Sequence, residues 1–439
     1  MRNRKCFSLL FGVIFSLQSC SEDDNDSTGN ITNPSKPNIL LVIADDFGLD
    51  ACPNYSVGAI KPNMPHLESL MNEGITFDNF WAFPMCSPTR ASIITGKYGM
   101  KTGVLNASNA STLNANEKTL QAYLDEKLGK VYAHSIIGKW HLSNGDPNRP
   151  TDMGIDYYAG LLSGTASSYY DWNLVENGTS SPTTEYITTK TTDLAIDWIN
   201  SQDKNWFCWL AYSAPHTPLH LPPASMHSQG NLSQDEASVT ANPQPYFMAM
   251  AESLDHEIGR LFDNIPKEEL NNTIIIFMGD NGTSGQVIQS PYVNNRSKGT
   301  LYQGGISVPL IVSGKGVTRM GERDQNLINS ADLFATVAQI AGVDINEYEN
   351  SKSFKALLSG NTTANRNYNY SEVLNDSPIK SGFTIRNETY KLIVLDNGSK
   401  RFYNLVDDPF ETENLMNKLS IDEQNVYNEL ISEANKIRG

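Results

Sequence analysis

Cys86-Ser87-Pro88-Thr89-Arg90 brings a thiol, a ring-locked backbone and a guanidinium together within five residues, and Ala91-Ser92-Ile93-Ile94-Thr95-Gly96-Lys97 follows. The segment predicts a helix start, with Ser87 as its cap and Pro88 in the first turn, where a missing N–H costs nothing. Residue 86 then lies at the mouth of the helix, where free N–H groups and the positive end of the dipole favour an anion. A cysteine there is either a reactive group facing an anionic substrate or a small side chain in a capped helix. Five residues alone leave both readings open.

Four apolar runs end in clusters of chemically capable residues. Asn38 to Ala44 ends at Asp45-Asp46, His134 to Gly138 at Lys139-Trp140-His141, Phe207 to Ser213 at Pro215-His216, and Thr273 to Gly279 at Asp280-Asn281. Continuous apolar runs of this length read as parallel strands buried on both faces. Helical patterns lie between them at Thr119 to Leu128, Pro245 to Asn264 and Asp332 to Ala341, the last closed by Gly342. Strands alternating with helices predict an α/β fold, a large doubly wound and mostly parallel sheet flanked by helices. Ligands of such sheets bind beyond the carboxyl ends of the strands, where all four clusters fall. Asp45, Asp46, Asp280 and Asn281 offer hard oxygens, which suit Ca²⁺ or Mg²⁺ better than zinc. Each pair alone is also ordinary turn chemistry. If Lys139 and His141 are extended, they share one face.

Past about residue 360 the pattern changes. Tyr368 to Val373, Gly382 to Arg386, Tyr390 to Asp396 and Lys400 to Leu405 read as a small C-terminal antiparallel sheet, with Asn397-Gly398 as a hairpin turn. A final helix is expected from about Ile421 to Ile437. The expected organisation is 1–19 signal peptide, 20–36 acidic tether, 37–360 catalytic α/β domain and 361–439 C-terminal α+β subdomain.

Cys86-Ser87-Pro88-Thr89-Arg90, with Thr95-Gly96-Lys97 behind it, resembles the C-x-P-x-R signature of type I sulfatases. Gly138-Lys139-Trp140-His141, Ala214-Pro215-His216-Thr217-Pro218 and Ser297-Lys298-Gly299-Thr300 to Ile306 resemble three further motifs of that family, in the family's order. Phe402-Tyr403-Asn404-Leu405, Asp408-Pro409 and Glu413-Asn414-Leu415 resemble its C-terminal signature, so the likeness runs from residue 37 to about 416. Ser143, Gln303 and Ser307 depart from the usual residues just outside the chemical core, which bears on packing or specificity.

The resemblance implies that Cys86 is oxidised to formylglycine by a maturation enzyme and that its hydrate attacks sulfur. It implies one Ca²⁺ held by Asp45, Asp46, Asp280, Asn281 and an oxygen of residue 86. Arg90 orients the formylglycine, Lys139 and Lys298 bind sulfate, His141 serves the hydrate, and His216 protonates the leaving alcohol. The expected activity is hydrolysis of O-sulfate esters on a sulfated glycan, with algal polymers such as ulvan, carrageenan or fucan as candidates. His220, Tyr169, Tyr170 and Trp172 are candidates for sugar contact; core packing and an exposed loop histidine are the competing readings. A phosphonate or phosphodiester hydrolase of the same superfamily and a non-catalytic glycan-binding lipoprotein are the alternative functions.

The net charge of −16 over 439 residues argues against nucleic acid and leaves attraction of an anion to local cations. Arg2, Arg4 and Lys5 precede the apolar run Phe7 to Leu17, which is too short to span a membrane. Leu17-Gln18-Ser19-Cys20 resembles a bacterial lipobox with Cys20 as the lipidated residue, and Glu22 to Asp26 resembles an acidic surface-export tag. The expected location is the outer membrane, facing outward, with a periplasm-facing anchor as the alternative; a cleaved signal with an incidental Cys20 also fits. Of five cysteines, Cys52 and Cys208 remain unassigned, and a disulfide between them is allowed in that compartment.

Overall fold

The computed structural model describes residues 36–108, 112–360 and 366–439. The signal segment, Cys20 and the Glu22-to-Asp26 run lie outside the described residues. Lys36–Gly439 clusters as one compact unit. Among the described residues, no helix is long and apolar enough to cross a membrane.

The main sheet contains β1 (Asn38–Ala44), β2 (Ile75–Trp81), β3 (Ala133–Gly138), β4 (Tyr157–Gly160), β5 (Trp172–Glu176), β6 (Thr179–Thr183), β7 (Trp206–Ala211), β8 (Thr273–Gly279), β9 (Leu310–Gly314) and β10 (Glu322–Asn329). Their order is β10-β2-β9-β8-β1-β7-β3-β4-β5-β6. The pairs β8–β1, β1–β7, β7–β3 and β3–β4 are parallel, as is β10–β2, whereas β9 runs antiparallel to both neighbours and β5 and β6 close the far edge antiparallel. The four apolar runs read from the sequence are therefore adjacent and parallel.

Both faces of these central strands are buried, which explains their unbroken hydrophobicity. Ile39, Leu41 and Ile43 of β1 enter one core with Ile274 and Ile276 of β8 and with Ile93, Leu124 and Phe334 from helices Cys86–Thr95, Leu120–Leu128 and Asp332–Ile340. Leu40, Val42 and Ala44 enter the opposite core with Leu67, Ile187 and Leu254 from helices Pro65–Glu73, Ile187–Asn200 and Pro243–Asn264. Cys52 and Cys208 sit in this second core as free thiols, small hydrophobes rather than a disulfide.

A two-stranded ribbon, β11 (Glu347–Tyr348) with β12 (Ser351–Lys352), follows the main sheet. The second sheet has the simple order β13 (Asn369–Val373), β14 (Gly382–Arg386), β15 (Tyr390–Leu395), β16 (Lys400–Asn404), all antiparallel. The last helix, Ile421–Arg438, packs Leu430 and Ala434 on Ile385, Leu392 and Phe402. Phe83, Tyr98 and Ala331 share that core, so it is continuous with the larger part of the molecule.

Arg366 fastens the join. Its buried guanidinium forms a two-pronged ion pair with Asp332 (Nε to Oδ2 2.9 Å) and also reaches Tyr98 Oη and Asn350 O, both at 2.7 Å. Asp332 in turn accepts from the backbone N–H groups of Asn329 (2.8 Å) and Lys352 (2.7 Å). Removing one partner of a buried pair leaves an uncompensated charge. Arg366→Ala is expected to destabilise the protein by about 3–5 kcal/mol, read from the denaturant midpoint at constant slope.

Candidate active site

The carboxyl ends of β8, β1, β7 and β3 place Asp280-Asn281, Asp45-Asp46, His216 and Lys139 side by side. The helix Cys86–Thr95 begins beside them. Cys86 and Arg90 are four apart on it, so both project onto one face toward the strand ends. The Cys86 thiol donates to Asp45 Oδ1 at 3.3 Å, and Lys139 Nζ lies 3.5 Å from its sulfur. Arg90 donates to Asp280 Oδ2 at 2.9 Å and to the Lys139 carbonyl at 2.8 Å. Lys139 also pairs with Asp45, and Lys298 Nζ lies 2.5 Å from Asp46 Oδ1.

The local backbone differs from the expected one at two points. The helix starts at Cys86 with Met85 at its N-cap and no side-chain cap, so Ser87 is not the capping residue. Ser87 Oγ instead donates to the His141 carbonyl at 2.8 Å and ties the motif helix to the end of β3. Lys139 and His141 are not part of one extended run. Gly138 has φ +101° and His141 φ +58°, so the chain turns sharply after the strand. Gly138 cannot be replaced by a larger residue, since a Cβ there lies 1.9 Å from the Ala211 carbonyl. Lys139 reaches the cluster directly; the turned backbone at His141 is held by its N–H on Leu162 O at 3.1 Å.

His216 Nδ1 lies 2.7 Å from the Thr217 carbonyl, which can only accept, so Nδ1 carries a proton and Nε2 faces Asp46 Oδ2 at 3.7 Å. Tyr169, a candidate for sugar stacking, is buried at 2% exposure; its hydroxyl lies 2.7 Å from both the Ser213 and His216 carbonyls and braces the histidine loop. Trp172 is likewise buried, with Nε1 on Glu185 O. Neither offers a free face to a sugar, and the competing reading as core aromatics holds. Tyr170 is exposed, stacked on Tyr186, and its hydroxyl donates to Leu221 O. His220 packs 4.1 Å from the Tyr169 ring, between Pro218 O and Tyr186 Oη, and burial lowers it to about 4, so it is neutral at neutral pH.

Electrostatics separate the groups by role. Burial pushes the Cys86 thiol far up, and Asp45 adds to this, so the unmodified side chain is a poor thiolate. Burial also raises Asp45, but Lys139, His216, Arg90 and Lys298 outweigh it and hold the carboxyl below its ordinary range. Asp280 rises to about 7 through burial and the Asp45 charge. Burial lowers Lys298, but Asp46 and other negative groups outweigh it and keep the ammonium charged. Burial, with Lys139 and Arg90, drives His141 well below its usual value. Burial lowers His216 too, though Asp46 opposes the shift.

The site holds a donor set that could bind a metal ion. Ligand atoms of Asp45, Asp46, Cys86 and His216 lie within 4.8 Å of one another. Asn281 donates through Nδ2 to Asp46 Oδ1 at 2.8 Å, while its amide oxygen is buried with no partner, an acceptor suited to a cation. Asp280 holds the Asp46 N–H on Oδ1 at 3.1 Å and Arg90 on Oδ2.

Several supporting residues carry no motif. Thr283 takes the Gly48 N–H at 3.1 Å and donates to buried Asp50 at 2.6 Å, which fixes the two acidic loops together. The Lys298 loop is held by its own N–H on Thr283 O and by the Gly299 N–H on Pro84 O. Gln303, where the chain departs from the family pattern, accepts from Trp81 Nε1 at 2.9 Å. Gly164 lies flat against His141, and a Cβ there sits 2.2 Å from the imidazole Cε1.

The fold and this strand-end cluster match a known protein family. The family model "Sulfatase" matches residues 37–343, and the chain belongs to that family. A second model, "N-sulphoglucosamine sulphohydrolase, C-terminal", matches residues 296–438. The chain is 26% identical over 517 aligned positions to an N-acetylglucosamine-6-O-sulfatase of Bacteroides thetaiotaomicron, covering 95% of this chain and 88% of that protein. It is 28% identical to the sulfatase YdeN of Escherichia coli, covering 71% of this chain and 63% of that protein, and 28% identical to mouse arylsulfatase J, covering 71% and 54%. The chain thus spans little more than half the length of some curated relatives. In fold it is similar to Ps i-CgsB in complex with k-i-k-neocarrahexaose (TM-score 0.75, 23% identity, 92% of each chain). It is equally similar to BT4656 in complex with its substrate D-glucosamine-2-N,6-O-disulfate (TM-score 0.75, 23% identity, 92% and 98%).

Gly164→Ala is expected to push the His141 ring out of place and to lower kcat about 100-fold, the scale of a 1 Å misplacement, with little change in melting temperature. Unchanged kinetics would show that the ring is free to move.

Proposed function

We propose that this chain is a formylglycine-dependent sulfatase that hydrolyses O-sulfate esters on sulfated glycans. The observation that carries the reading is Cys86 itself. It lies at the first turn of a buried helix among Asp45, Lys139 and Arg90, yet its thiol is pushed away from the thiolate, so its own sulfur is a poor nucleophile there. An aldehyde hydrate at that position has two hydroxyls and suits the surrounding donors and acceptors better.

In this reading one hydrate hydroxyl passes its proton to the adjacent Asp45 carboxylate and attacks sulfur as the S–O bond to the sugar breaks, and the departing alcohol takes a proton from His216 Nε2. Burial lowers that imidazole and Asp46, 3.7 Å from Nε2, opposes the shift. His141, kept neutral by burial and by Lys139 and Arg90, accepts the proton of the second hydroxyl. The carbon–oxygen bond to sulfate then breaks, sulfate leaves and the aldehyde returns. Lys139 and Lys298 neutralise the transferring group. Asp45, Asp46, Asp280 and Asn281, with residue 86, would hold Ca²⁺, chosen for the oxygen chemistry of the four side chains; the ion would supply positive charge to offset that of the sulfate.

Protein made with a maturation enzyme should carry an aldehyde in place of the Cys86 thiol by peptide mass spectrometry. It should cleave sulfate esters well ahead of the matching phosphate esters. Cys86→Ala and chelation should each abolish turnover. Full activity with only unmodified Cys86 sinks the mechanism, a preference for phosphate esters favours the phosphohydrolase alternative, and stoichiometric zinc overturns the calcium assignment.

The likeness of Leu17 to Cys20 to a lipobox supports a lipid anchor at Cys20 in the outer membrane, with the acidic Glu22-to-Asp26 run exporting the enzyme to the surface. Labelled fatty acid should enter the wild type and not Cys20→Ala. Protease applied to intact cells should release the enzyme; protection until the outer membrane is breached places it facing the periplasm.

A further inference from the structure

Two adjoining cavities, of about 230 and 330 Å³, share Gly145, Leu162 and Ser163 as walls; His141 lines the first and Asp171 the second. The loop that forms their common floor is fixed to both histidines. The Trp140 and His141 N–H groups donate to Leu161 O and Leu162 O, and Gly164 lies against the His141 ring. Thr165 Oγ1 donates at 3.0 Å to the carbonyl of Thr217, the residue after His216. The space therefore borders the His141 side of the site, and the Thr165 hydroxyl ties its wall to the loop that carries His216.

Its chemistry is neutral and hydroxyl-rich. Ser143, Asn144, Ser163, Thr165 and Asn173 supply donors and acceptors. Among the described residues lining the two cavities there is no Lys or Arg, and Asp171 is the one ionisable residue besides His141. The cations of the site, Lys139, Lys298 and Arg90, are all committed to Asp45, Asp46 and Asp280 around Cys86. Trp172 lies in the wall but is buried, so recognition here falls to hydrogen bonds rather than to stacking.

Building on the sulfatase reading, we propose that this pocket takes a sugar ring whose only anionic group is the sulfate being removed, and that Asp171 enforces this selectivity. Its exposed carboxylate accepts from ring hydroxyls. A second sulfate or a uronate carboxylate on the same ring meets like charge with no counter-cation, which is selection by repulsion. The N,6-O-disulfated substrate bound to the similar structure BT4656 carries such a second anion.

The test pairs two sulfated monosaccharides that differ only in a second anionic substituent, each measured by sulfate release and as a competitor of an aryl sulfate. The wild type should favour the singly charged ring by about tenfold or more in kcat/KM or in inhibition constant. Asp171→Asn should shrink that ratio about tenfold, and Asp171→Lys should invert it, with melting temperatures confirming that both variants fold. Equal or better use of the doubly charged ring by the wild type, or a ratio indifferent to residue 171, overturns the inference. Absence of sulfate release from the aryl ester and from both sugars by the wild type removes the sulfatase reading beneath it, an outcome distinct from a reversed preference.

Discussion

Five buried charges, four at the ends of the parallel strands β1, β8 and β3 and one on the helix Cys86–Thr95, set the terms for the rest of the molecule. Asp45, Asp46, Asp280, Arg90 and Lys139 are each nearly inaccessible to water. An isolated charge in such a place is very costly, and it is tolerated only when paired and hydrogen-bonded. Here the pairing is mutual: Arg90 joins Asp280 to the end of β3, Lys139 meets Asp45, and the Asp46 N–H closes onto Asp280. No single strand end supplies both signs of charge. Each loop is stable in its place because the neighbouring loop provides its counter-charge, and the parallel order β8-β1-β7-β3 makes them neighbours.

The same arrangement explains why a cysteine can sit there and stay unreactive as a thiol. The helix mouth favours negative charge at residue 86, while desolvation and Asp45 oppose it, and the second pair of effects wins. The two histidines flank the position in different environments. His141 is enclosed by cations and the Gly164 loop, whereas His216 looks onto a carboxylate. Burial lowers both imidazoles; Lys139 and Arg90 deepen the shift at His141, whereas the Asp46 carboxylate opposes it at His216.

Much of this was legible before the structure. The central strands stood out because burial on both faces leaves no polar alternation, and their terminal polar pairs stood out because they interrupt it so abruptly. Edge elements were hidden for the opposite reason: Thr179–Thr183 is exposed and polar, and Glu322–Asn329 begins with five polar residues, so neither resembles a strand in isolation. The left-handed backbone of His141, the redirected Ser87 hydroxyl and the inward turn of Tyr169 were not legible, because each is set by a carbonyl or amide brought from more than forty residues away or by a sharp turn after Gly138. Gly164 carried no signal either; only the approach of the imidazole makes the absence of a Cβ matter.

Cys86 retains 1% of its surface, with Asp45 Oδ1 3.3 Å and Lys139 Nζ 3.5 Å from its sulfur, and Lys139 comes from chain synthesised well after it. Access to that side chain is therefore a matter of timing. An enzyme that altered it would have to work on a chain in which β3 had not yet closed beside the helix mouth, and folding would then compete with that modification for the same interval.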